Sequence, residues 1–97
     1  MLLFMVKGPN MSVFFDALAC RQPAQFAFFR EGRSVVRRLR VVGVTTVNQH
    51  HEPASEGCWF IQLRDGDGCY YNGTYDQNTC KGQWTKVLGP PTGGREL

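Results

Sequence analysis

From Gln25 onward the chain is written in short runs of Phe, Val, Thr, Trp and Tyr separated by glycine or polar clusters. That is the texture of antiparallel strands, and helical periodicity does not return after it. Ahead of it, Val13, Phe14, Ala17 and Leu18 fall on one helical face. Asn10 or Ser12 can cap this helix, Asp16 and Arg21 suit its dipole, and Pro23 stops it, which predicts a helix over 11–21. Leu2 to Lys7 reads as a strand closed by Gly8-Pro9. Gln25–Arg30 and Ser34–Asn48 read as a hairpin around Glu31-Gly32-Arg33, with a bulge or bend at Gly43. Cys58–Arg64 and Cys69–Thr74 make a second hairpin, and Gln83–Leu88 a last strand. The expected fold class is α+β: one short N-terminal helix packed on a curled, mainly antiparallel, small barrel-like sheet of about five strands. Residues 1–88 form a single domain, and 89–97, with its Pro-Pro and Gly-Gly pairs, form a flexible tail. The core is expected to hold Phe4, Val13, Phe14, Leu18, Phe26, Phe28, Leu39, Val41, Val44, Trp59, Ile61, Leu63 and Trp84.

At 97 residues only one core is expected. The apolar opening MLLFMV has no basic segment before it and reaches Lys7 after six residues, so it reads as neither an export signal nor a membrane span. A cytoplasmic setting is expected, with Cys20, Cys58, Cys69 and Cys80 as reduced thiols. The net charge of +3 hides an asymmetry: residues 1–49 carry seven Lys/Arg against two acids, and residues 50–97 four against six. Arg30, Arg33, Arg37, Arg38 and Arg40 crowd one hairpin with only Glu31 opposing them, a field suited to an acidic partner.

The stretch LRDGDGCYYNGTYD, residues 63–76, imitates a calcium loop. A thiol at the fifth ligand position, Tyr70 where glycine is needed and Asp76 in place of a bidentate glutamate argue instead for a hairpin turn. With a two-residue Gly66-Asp67 loop or a four-residue loop over DGDG, Leu63 faces Tyr70, Ile61 faces Asn72 and Trp59 faces Thr74. Phe60, Tyr71 and Tyr75 then share the face opposite the core, where another layer, a partner or a ligand must cover three rings.

In SVVRRLRVV, Val35, Arg37, Leu39 and Val41 alternate with Val36, Arg38, Arg40 and Val42. The plain reading is an edge strand whose arginine stems cover apolar surface. The sharper one has Arg30, Arg33, Arg38 and Arg40 gripping phosphates while Phe29 or Tyr71 stacks on bases. His50, His51, Cys58, Cys69 and Cys80 lack the close pairs that zinc knuckles use, so no metal and no cofactor is expected. No catalytic residue is assigned, since the histidines sit in a polar loop without an orienting motif. The function expected first is a non-catalytic binding or assembly module using Phe60, Tyr71 and Tyr75, with a protein partner or a second copy of the chain as a homodimer, and no membrane. A single-stranded nucleic-acid module using the Arg30–Arg40 hairpin is the alternative. An enzyme with a site built at a subunit interface comes third.

Overall fold

Among the described residues six strands close into one antiparallel barrel, which removes most of the free edge an open sheet would carry. The computed structural model describes residues 2–87, with the side chains of residues 6–87. The elements in chain order are β1 (Leu2–Lys7), α1 (Met11–Cys20), β2 (Ala24–Arg30), β3 (Arg33–Thr45), β4 (Cys58–Asp65), β5 (Tyr70–Asp76) and β6 (Lys81–Val87). Neighbours in sequence pair antiparallel, and β6 returns to β1 to complete the barrel. One helix on a barrel-like antiparallel sheet is the expected class. The strands number six rather than about five because every β-rich run enters the ring. The seam between β1 and β2 is held by a single pair, Lys7 with Phe29, since the chain leaves β1 there to form α1.

α1 turns Met11, Phe14 and Ala17 toward the core, with Leu18 beside them. Val13, expected in that core, is 37% exposed because the buried stripe runs through 11, 14 and 17 instead. Arg21 ends the helix in the left-handed conformation and donates its N–H to the Ala17 carbonyl. Phe14 is the plug. Its ring packs against Phe26 at 5.3 Å, Tyr75 at 5.0 Å and Trp84 at 6.1 Å between centroids.

The interior alternates large and small residues, as a narrow barrel requires. Gly73 pairs with Trp84 and Gly82 with Tyr75. A Cβ on Gly73 would stand 2.0 Å from the Trp84 ring, and one on Gly82 would stand 2.6 Å from the Tyr75 ring. Both glycines are seats for those rings. Phe14, Phe26, Phe28, Leu39, Val41, Ile61, Leu63 and Trp84 are buried as expected, and Leu18, Val44 and Trp59 pack partly buried against them. The Phe4 side chain, Leu88 and the 89–97 tail lie outside the described residues.

The turns set which face each strand presents. β2 and β3 are joined by Glu31-Gly32, both at positive φ (53° and 77°), with Arg30 paired to Arg33. This is a two-residue primed turn, one residue shorter than expected. The bulge at Gly43 is present as a register shift between Val41 and Gly43. Between β4 and β5 the loop is the odd-numbered Gly66-Asp67-Gly68. Gly68 takes φ 87°, its N–H reaches the Asp65 carbonyl at 3.1 Å, and the Asp65 N–H reaches the Cys69 carbonyl at 2.9 Å. The expected register therefore slips by one: Leu63 pairs with Tyr71, Ile61 with Gly73 and Trp59 with Tyr75. A one-residue slip moves every side chain to the other face. Tyr71 and Tyr75 accordingly join the core, at 3% and 0% exposure. Among the described residues no helix is long and apolar enough to cross a membrane.

Candidate functional site

The register places three expected site rings apart from one another. Tyr75 lies in the aromatic core, and its hydroxyl donates to the Pro9 carbonyl, tying β5 to the start of α1. Burial, chiefly, pushes that phenol well above its ordinary value, so it stays neutral. Tyr71 accepts a hydrogen bond from Arg37 Nη2 at 3.1 Å and donates one to Asp65 Oδ2 at 3.0 Å. Phe60 alone remains on the outer face, half-buried. The shared aromatic face of Phe60, Tyr71 and Tyr75 does not exist, because an odd loop replaces the even one from which it was inferred. The cover those rings need is supplied by the chain itself.

Asp65 closes the β4–β5 turn from within. Its Oδ1 accepts the N–H groups of Asp67 and Cys69, both at 2.9 Å, and Arg37 lies 3.9 Å from Oδ2. Burial alone would raise its carboxyl pKa, but these hydrogen bonds, the Tyr71 hydroxyl and the Arg37 charge together hold it below the usual value. The Asp65 carboxylate thus serves the turn, and Asp67 lies within it, as the sequence predicts.

The outer faces of β3, β4 and β5 carry rows of side chains about 7 Å apart, two residues per step along each strand. In the first row Arg40 pairs with Arg64, and Arg64 with Tyr70. The Arg64 guanidinium lies 5.7 Å from the Tyr70 ring centroid. Arg40 and Arg64 form the shared wall of two hollows. One is lined by Pro23, Arg38, Asp65 and Gly66, the other by Leu18, Arg21, Val42 and Tyr70. Neither Arg38 nor Arg40 has an ion pair among the described residues. Arg33 is exposed beside the β2–β3 turn, and Arg30 is half-buried on the same hairpin. Phe29 is 50% exposed and Val36 59%, on the same outward face as Arg38.

The second row holds Gly43, Gln62 and Asn72, and the third Thr45, Phe60 and Thr74. Over them folds the 46–54 loop, built around one side chain. Residues 46–48, expected at the end of the Ser34–Asn48 strand, belong to it because β3 stops at Thr45, and the rest falls in the polar loop expected from Gln49. Asn48 Oδ1 accepts the N–H groups of His50 (2.8 Å) and Glu52 (3.0 Å), while its Nδ2 donates to Glu52 Oε1 at 2.9 Å. Val47 bridges to Pro53 across it. The cleft so enclosed, about 340 Å³, is lined by Thr45, Asn48, His50, Phe60, Gln62 and Asn72 among others. Asn72 Oδ1 is buried without a hydrogen-bond partner, a state that costs about 1–3 kcal/mol.

Among the described residues no three His, Cys, Asp or Glu side chains converge as a metal site would require. Among the described residues the His50 ring lies 3.5 Å from Gln49 Nε2 and Cys80 Sγ 3.6 Å from Asn10 Oδ1, so neither contact pairs a cysteine with a histidine. Arg64, Tyr70, Gln62 and Asn72 were not singled out as site residues from sequence. The signal that would have found them is the glycine at the third loop position, Gly68, which marks a three-residue hairpin with a left-handed bulge. Compared with protein-family models, curated proteins and solved structures, the chain gives no match.

Proposed function

We propose that this chain is a non-catalytic binding module whose β2–β5 outer face takes a single-stranded nucleic acid. The observation that carries this reading is the cross-strand pair Arg40–Arg64. Like charges directly opposite on a sheet destabilise it, and Arg38 adds a third charge at the same hollow, where the Asp65 carboxylate is ion-paired with Arg37. A phosphate backbone relieves that repulsion. Tyr70 under Arg64 and the exposed Phe29 add flat rings, the second component of surfaces that hold single strands. Of the two aromatics first considered for stacking, Phe29 is available and Tyr71 is buried.

The test is binding of a labelled single-stranded oligonucleotide at low salt. Arg40→Ala and Arg64→Ala are each expected to weaken it about fivefold or more. Lys81→Ala, on the outer side of β6 and opposite Asp76, leaves it unchanged. Equal losses at all three positions, or no binding by the wild type, overturns the proposal.

A homodimer is the second reading, favoured by one observation. Residues 33–38 of β3 pair only with β2, so among the described residues this length has no partner on its second edge. Phe29, Val35 and Val36 are exposed beside it. Pairing two copies edge to edge would bring Arg33, Arg37 and Arg38 of each against the other, which places this reading behind the first. A solution mass of one chain at high protein concentration removes it.

A further inference from the structure

We infer that the cleft beneath the 46–54 loop is a nucleobase pocket, one step along the sheet from the arginine row. The inference rests on the single-strand reading above and adds where a base would go. Along β4 the outward side chains run Arg64, Gln62, Phe60, and along β5 Tyr70, Asn72, Thr74. A phosphate held by Arg40 and Arg64 therefore leaves its base over Gln62 and Asn72, since one row spacing of about 7 Å matches the reach from a phosphate to the base it carries.

The cleft has the chemistry of a base site. Its polar lining includes the side chains of Gln62, Asn72 and His50, with no carboxylate among the described lining residues. Carboxamides offer a donor and an acceptor on one planar group, the pattern that base edges present in return. Phe60 lies on the next row as a stacking surface. The unpartnered Asn72 Oδ1 is an acceptor lacking a donor, and rotation of the amide about Cβ–Cγ turns it toward the cleft. Gly43 sits opposite Gln62, and a Cβ there would stand 2.7 Å from Gln62 Oε1, so the carboxamide would have to shift. The bulge glycine is what lets the Gln62 carboxamide lie against β3.

The experiment compares two strands of equal length and charge, one with bases and one abasic, in binding to the wild-type protein and to Gln62→Ala, Asn72→Ala and Arg40→Ala. The base-bearing strand should bind about tenfold tighter. Gln62→Ala or Asn72→Ala should abolish that margin while leaving abasic binding unchanged, and Arg40→Ala should weaken both strands alike. Equal affinity for the two strands overturns the pocket and leaves the arginine surface standing. Binding of neither strand removes the arginine surface, and titration with adenosine or uridine alone, followed by shifts of the Gln62 and Asn72 side-chain amide signals, then decides the pocket. No shift there overturns it. Thermal melts identify any variant that fails to fold, and Gln62→Ala serves if Asn72→Ala does.

Discussion

Asp65 shows how much one side chain can determine. Its carboxylate accepts two backbone N–H groups across the turn, takes the Tyr71 hydroxyl and faces Arg37. Its folded pKa lies below the ordinary 3.8. Because the folded value is depressed, the charged form's contribution is complete above 3.8 and is lost as pH falls through the lower folded value. Asp65→Asn should therefore lower the melting temperature at neutral pH, by an amount corresponding to about 1–2 kcal/mol of lost charge-assisted hydrogen bonding. The gap to the wild type should close under strongly acid conditions. A gap that stays constant down to pH 2 would show that the carboxylate charge does not matter. Sequence reading identified the turn here and missed its length. Asp-Gly-Asp-Gly is compatible with loops of two, three or four residues, and only the odd choice turns Tyr71 and Tyr75 inward.

At the scale of elements, the barrel interior explains why the odd loop prevails. With Tyr71 and Tyr75 outside, β5 would bring Tyr70, Asn72 and Thr74 to the core. With them inside, Gly73 falls opposite Trp84, which needs the space. Complementarity between β5 and β6 is a relation between distant residues, and local turn signals do not carry it. Gly73→Ala tests it: a methyl 2.0 Å from a rigid, fully buried indole should cost about 3 kcal/mol or more. The melting temperature would fall by well over ten degrees. A change of only one or two degrees would mean that Trp84 is not packed over this glycine. The helix, the strand runs and the Gly43 bulge were legible because each depends on local pattern. The alternation in SVVRRLRVV was also read correctly, with Leu39 and Val41 inside and Arg38 and Arg40 outside.

For the molecule as a whole, charge and topology meet on one face. The basic excess of residues 1–49 comes to lie on the β2–β3 hairpin. The barrel then brings Arg64, from the net-acidic second half of the chain, directly opposite Arg40. Sequence distance hides that pair, which is 24 residues apart, so the basic surface was read as one hairpin when it extends onto β4. The most direct test is the salt dependence of single-stranded oligonucleotide affinity for the wild type and for Arg40→Ala with Arg64→Ala combined. A logarithmic plot of affinity against salt should be steep for the wild type. The double variant should be shallower by about 1.4, two phosphate contacts at about 0.7 each. A flat wild-type response, or identical slopes for the two proteins, would contradict the assignment of this face to a phosphate backbone.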